Sequence, residues 1–193
     1  MRVLCASDLH LGRRITGVPA HLGLDPARLS TSSVWHHLIE TAVADGVDAI
    51  LLGGNLVDRE NRHFEPRGAI EQGLAVLARH RIPVVAVAGD HDFDVLRWIA
   101  ADDTTGTLRL LGHDGRWTRE TITGRSGEQL VVLAWGAAGR TSPGTPLVGL
   151  PASPRDDAPV IALVHGTLVG TDPATDAFAP VARPDLAGHE VDL

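Results

Sequence analysis

Apolar positions along this chain follow two periods. Four short runs are apolar and largely β-branched: Arg2–Ser7 (RVLCAS), Asp48–Leu52 (DAILL), Pro83–Ala88 (PVVAVA) and Val160–Val164 (VIALV). Such runs, bounded by turn residues, read as buried parallel strands. Between them the period lengthens. Val34, Trp35, Leu38, Ile39, Ala42 and Val43 repeat at helical spacing, with Ser30–Ser33 as N-cap candidates and Gly46 as the stop. A second helical face carries Ala69, Ile70, Gly73, Leu74, Leu77 and Ala78. The resulting βαβαβ order predicts right-handed crossovers and a parallel core. Beyond about residue 102, short runs at Thr107–Leu111, Trp117–Thr123 and Gln129–Trp135 predict a second, antiparallel or mixed sheet. Gly136–Ala158 is rich in Pro, Gly and Ser and reads as loop.

Each of the four parallel runs ends in a polar block. They lead into Asp8-Leu9-His10, Gly53-Gly54-Asn55-Leu56-Val57-Asp58, Gly89-Asp90-His91-Asp92 and His165-Gly166. Open α/β sheets collect ligands beyond the carboxyl ends of their strands. Asp, His and Asn side chains from distant segments are therefore expected at one edge, as in a metal site. In an extended segment, Asp8 and His10 share a side and can chelate one ion. Carboxylate with imidazole suits manganese, iron or zinc better than calcium. Two such ions about 3.5–4 Å apart can clamp a phosphoryl group, and a nearby His can protonate the leaving oxygen.

Composition narrows the partners. The net charge is −7, and all 17 basic residues are arginine. Such a chain is no general nucleic-acid binder, so a phosphate-rich substrate needs local charge. Arg13, Arg14, Arg59, Arg62 and Arg67 flank the first two polar blocks. No apolar run approaches the roughly 20 residues needed to span a bilayer, and no signal-peptide pattern opens the chain. A cytoplasmic protein without membrane contact is expected. The single cysteine, Cys5, allows no intrachain disulfide and is expected to pack in the first strand. His21, His36, His37, His63, His80 and His113 are read as surface or element-end residues, and Trp35, Trp98, Trp117 and Trp135 as packing residues. Without tyrosine and with three phenylalanines, an aromatic single-strand-binding face is not expected.

The four blocks resemble those of the calcineurin-like metallophosphoesterases, whose pattern runs D-x-H, G-D-x-x-D, G-N-H-D/E, H and G-H-x-H. Ser7–Arg13, Asp58–Arg62 and Ile82-Pro83-Val84 are most similar to the bacterial SbcD branch of DNA-repair exonucleases. The likeness is sharp over residues 1–92 and returns at His165 and His189. It implies an α/β fold, a two-sheet αββα sandwich, in one metallophosphoesterase domain over 1–193. It also implies a C-terminal end that is short, lacking further strands and a capping domain. Two divalent ions are implied, foremost manganese, with iron, zinc or magnesium as alternatives. By position, Asp8 and His10 would hold the first ion and Asn55 would bridge both. Asp90, His165 and His189 would hold the second. His91 would be the general acid; Asp58, counted with it as catalytic, and Asp92 would orient their neighbours. The implied activity is a phosphodiesterase, an exonuclease on DNA in repair, with an SbcC-like SMC-type ATPase and a second copy of the chain as partners.

Three positions depart from that pattern. Asn55 stands where the family has its bridging Asp, Asp90 stands where it has a metal-binding Asn, and Val191 replaces the last His beside Glu190. These departures keep two alternatives open: a phosphoesterase of small nucleotides, and a non-catalytic scaffold that binds DNA or a partner.

Overall fold

The structure is a computed structural model describing residues 1–14, 19–24, 30–60, 65–152, 158–169 and 177–186. Strands β1 (Val3–Ala6), β2 (Ala49–Leu52), β3 (Val84–Val87) and β4 (Leu108–Leu111) form one all-parallel sheet in that order. Helices α1 (Thr31–Ala44), α2 (Glu65–Arg79) and α3 (Val95–Asp102) connect them. A second sheet pairs β5 (Thr118–Thr123) antiparallel to β6 (Gln129–Trp135), and β6 parallel to β7 (Val160–Val164). Two three-residue strands, β8 (Thr167–Val169) and β9 (Pro180–Ala182), pair with each other, and the single turn α4 (Arg183–Leu186) follows.

Alternation along the strands divides the core into layers. Ile50 and Leu52 of β2 and Val84 and Ala86 of β3 face the helices, packing on Trp35, Ile70, Leu77 and Leu96. Ala49, Leu51, Val85 and Val87 face the second sheet and meet Ile122, Leu130, Val132 and Ala134. Val131 and Leu133 point outward, covered by Trp117 and Leu150. Among the described residues that outer layer is loop and the 3-10 turn Pro146–Gly149. The result is an α/β sandwich of two face-to-face sheets with helices packed on the first.

Helix α1 begins where expected, with the Ser30 side chain accepting the Ser33 N–H and Asp45 closing the C-terminus ahead of Gly46 at φ +59°. Five readings change. The Leu108–Leu111 run belongs to the first sheet, beside β3, because its register with Val84–Val87 continues the parallel ladder. Val160–Val164 belongs to the second sheet, not the first. The helix α3 after the third block was not anticipated; Asp94 caps it and only Leu96 and Ile99 are buried, a stripe too short to read as a period. Cys5 is exposed rather than packed. Its strand is the edge of the first sheet, and its side chain lies on the face that the second sheet covers only further in. Trp98 is likewise 70% exposed on α3.

Candidate metal centre

Backbone hydrogen bonds lash the loops after β1 and β2 together. Asp8 N–H donates to Gly54 O, His10 N–H to Asn55 O, Leu11 N–H to Leu56 O, and Asp58 N–H to Leu11 O. The loop after β3 joins them through Asp92, which is fully buried. Its Oδ2 accepts Leu56 N–H at 2.7 Å and Val57 N–H at 3.3 Å, and its Oδ1 accepts Gly89 N–H at 2.7 Å. Burial pushes its carboxyl up to about 6 against the pull of those three donors. Asp92 thus orients two loops through their backbones.

This lashing imposes strain at the expected ligands. Asp8, His10 and Asn55 have φ of +56°, +45° and +52°. Asp, Asn and His tolerate that region best, and it concentrates at functional sites. Asp8 and His10 therefore approach each other through left-handed turns, not through the extended segment expected. His10 Nε2 lies 3.8 Å from Asp8 Oδ1. Two glycines permit the close approach. A Cβ at Gly54 would lie 2.5 Å from His165 Nδ1, and one at Gly89 would lie 2.1 Å from Asn55 Oδ1.

The four blocks meet. Asn55 Nδ2 donates to Asp8 Oδ1 and to Asp90 Oδ1, each at 3.2 Å, while its Oδ1 accepts His91 N–H at 3.1 Å. His165 Nε2 lies 3.4 Å from Asp90 Oδ1. Its Nδ1 faces Gly53 O at 2.7 Å, so Nδ1 carries a proton and donates to the carbonyl, and in the neutral ring Nε2 holds the lone pair. Asp58 Oδ2 lies 3.3 Å from His10 Nδ1 and 3.9 Å from His91 Nδ1, and Asp58 Oδ1 accepts Glu60 N–H. The two imidazoles pack edge to face with centroids 4.7 Å apart.

The electrostatics follow from these contacts. Burial tends to raise the Asp8 carboxyl, but the Ser7 hydroxyl at 2.7 Å and the Asn55 amide outweigh it and hold it low. Burial and the neighbouring His91 push His10 down, toward the neutral imidazole that a metal requires. The Nδ1 atoms of His10 and His91 are buried without a hydrogen-bond partner. With Asp58 they form a cluster whose donor atoms lie within 4.8 Å of one another. A carboxylate facing an imidazole, as Asp90 faces His165, fits a divalent cation, whereas the Nδ1 atoms of His10 and His91 turn toward Asp58. Position 55 fits less well, since it turns nitrogen rather than oxygen toward its neighbours.

The calcineurin-like phosphoesterase family model matches residues 1–192. The chain belongs to that family. Among curated relatives, it is 30% identical over 114 residues to the DNA double-strand break repair protein Mre11 of Aeropyrum pernix, covering 59% of this chain and 25% of the relative. It is 36% identical over 91 residues to the uncharacterized metallophosphoesterase YhaO of Bacillus subtilis, covering 45% of this chain and 22% of the relative. The chain thus spans about a quarter of the length of the curated relatives it matches. A solved structure, TT1561 of Thermus thermophilus, is similar at a TM-score of 0.48 and 14% identity, covering 97% of this chain and 75% of that one.

Within this phosphoesterase fold, Asp8, His10, Asn55, Asp58, Asp90, His91 and His165 gather at one end of the two sheets. His189, like Glu190, Val191, His63 and Arg62, lies outside the described residues. Reading the residues alone missed Ser7, whose hydroxyl holds Asp8, and the Gly53 carbonyl that sets His165. The Gly53-Gly54 pair was the available signal. An open cavity of about 710 Å³ adjoins the centre, lined by Arg13, Arg14 and Arg59 together with Gly12, Asp58, Glu60 and His91.

Proposed function

We propose that the protein is a divalent-metal-dependent phosphodiesterase that hydrolyses DNA, as an SbcD-like exonuclease does in repair. The observation carrying this reading is the meeting of Asp8, His10, Asp90 and His165 beside a cavity rimmed by three arginines. In an acidic chain, that rim is the local charge a phosphodiester backbone requires. The names of the Mre11 relatives, which speak of DNA double-strand break repair, point to the same substrate.

Bound divalent metal supplies charge stabilisation to the phosphoryl oxygens, and the donor set suits manganese first. The residues do the rest. Asp8, His10, Asp90 and His165, with His189, are the ligand candidates; how many ions they hold turns on Asn55. His91 is the proton donor to the leaving oxygen. Asp58 stands behind His10 and His91, its Oδ2 3.3 and 3.9 Å from their Nδ1 atoms, and acts on both rings through its charge. Arginines 13, 14 and 59 orient the phosphates on either side of the scissile bond. The same reading makes the chain one metallophosphoesterase domain, working in the cytoplasm as a dimer with an SMC-type ATPase. Among the described residues no helix is long and apolar enough to cross a membrane.

The test is hydrolysis of end-labelled DNA beside bis(p-nitrophenyl) phosphate, with manganese and with chelator. Manganese-dependent cleavage of both is expected. Cleavage of the small diester alone would favour a small-nucleotide phosphoesterase. DNA binding without cleavage of either would favour the non-catalytic scaffold, which the neutral amide at position 55 also favours.

A further inference from the structure

We infer that the Asn55 amide takes the place of a cation between Asp8 and Asp90, so that this centre binds one divalent ion, held by Asp90 and His165. The inference rests on the metal-dependent reading above and departs from the two-ion arrangement that the sequence resemblance implies.

The orientation of the amide decides the matter. His91 N–H, a donor that cannot act as acceptor, lies 3.1 Å from Asn55 Oδ1. Flipping the amide would set two donors against each other there and an oxygen against two carboxylates on the other side. The orientation is therefore fixed by a backbone group. Asn55 Nδ2 then spends its two protons on Asp8 Oδ1 and Asp90 Oδ1. An amide nitrogen has no lone pair to offer a metal, and the amide oxygen is turned away toward His91. At 6% exposure the side chain is buried in this arrangement.

The two carboxylates are left in different states. Asp8 has a donor on each oxygen, the Ser7 hydroxyl on Oδ2 and the amide on Oδ1. It is satisfied without a cation. Asp90 shares the amide on Oδ1, where His165 Nε2 also points its lone pair from 3.4 Å. Among the described residues, Asp90 Oδ2 has no donor within hydrogen-bond distance; His91 Nε2 is the nearest at 3.9 Å. The His165 imidazole and the Asp90 carboxylate thus face each other at Oδ1, and Oδ2 remains available as a ligand atom. The carboxylate missing at position 55 is thus present at position 90, on the half of the site that keeps an ion.

Asn55→Asp is the probe, because it keeps an acceptor for His91 N–H and exchanges only the nitrogen for a charged oxygen. Manganese bound per folded chain is counted by native mass spectrometry and metal analysis, without reference to activity. One ion is expected at saturation in the wild type and two in Asn55→Asp. Apo Asn55→Asp, with three carboxylates together, should melt several degrees below the wild type and recover on adding manganese. If it does not fold without metal, Asn55→Asp/Asp90→Asn restores the count of one carboxylate and one amide and should also take two ions. In the wild type, Asp90→Asn and His165→Ala should each weaken the ion by 100-fold or more, and Asp8→Asn by less than tenfold. Two ions in the wild type, or one in both Asn55→Asp and the double variant, would overturn this inference while leaving metal-dependent hydrolysis standing. So would equal losses for Asp8→Asn and Asp90→Asn. A folded wild type that takes no ion would overturn the proposed function itself, and this inference with it.

Discussion

Asp92 Oδ2 accepts the Leu56 backbone N–H at 2.7 Å, joining the loop after β3 to the loop after β2 inside a fully buried site. With Val57 and Gly89 it gathers three N–H groups on one side chain. Asp92→Ala leaves those donors buried and unpaired, each at a cost of about 1–3 kcal/mol. Removing a carboxyl whose own burial is unfavourable offsets part of that cost, and a loss of roughly 2–4 kcal/mol in urea unfolding is expected. Metal affinity should fall in the same variant, because Asp90 and the Asn55 amide bonded to it ride on the two loops. A stability change below about 0.5 kcal/mol, the usual range of a surface substitution, would mean that the loops are fixed by other contacts.

His91→Ala should lower phosphodiester cleavage by about 10²–10⁴-fold, the usual worth of a positioned proton donor. The loss should appear in kcat more than in KM, and metal uptake should change little. Asp58→Asn tests the support behind it. The variant should lower kcat and shift the pH profile, since Asp58 Oδ2 faces the Nδ1 of both His10 and His91. If His91→Ala instead abolished metal uptake, the cluster of His10, Asp58 and His91 would itself be the ion site.

The four polar blocks were legible because each ends an apolar run, and strand ends share an edge. What the runs could not state was which sheet they join. Leu108–Leu111 carries only four residues, LRLL, with one face half-covered, and its partner is chosen by register with β3. Val160–Val164 reaches the same edge from the second sheet, so His165 arrives from the opposite layer to Asp8. The left-handed turns at Asp8 and His10 come from the hydrogen bonds to Gly54 O and Asn55 O, a pairing of loops 46 and 45 residues apart that no local pattern encodes. The exchange of Asn55 and Asp90 was visible as residue types. Its consequence depends on which way the amide turns, and a backbone N–H from another loop sets that.

Asp103 follows α3 and should make stability fall in acid. Burial alone would raise its carboxyl, but the N–H of Leu108 at 2.8 Å and the N–H and hydroxyl of Thr105 outweigh it and hold it below the ordinary value. A lowered folded pKa means that the contribution is present above the unfolded value near about 3.9 and is lost as pH falls through the folded one. Unfolding free energy measured from about pH 6 down to about pH 2 should therefore decline more steeply in the wild type than in Asp103→Asn. Parallel curves would remove Asp103 from the acid response.

Arginines 13, 14 and 59 line the cavity beside His91, and their charge should be read by the substrate's phosphates. A chain of net charge −7 repels DNA at long range, so attraction must come from contacts close to the centre. Each phosphate contact releases about one counterion, and removing one should lower the salt slope of DNA binding by roughly 1. Arg13→Ala and Arg59→Ala should each weaken DNA binding and raise KM for DNA, with less steep salt dependence. Hydrolysis of bis(p-nitrophenyl) phosphate, which has no flanking phosphates, should fall far less. Arg81→Ala, a surface arginine that does not line this cavity, is the control and should leave the slope unchanged. If the two cavity variants behaved like that control, the arginines would be a solvated rim. If they impaired the small diester as much as DNA, they would act on the scissile phosphate alone.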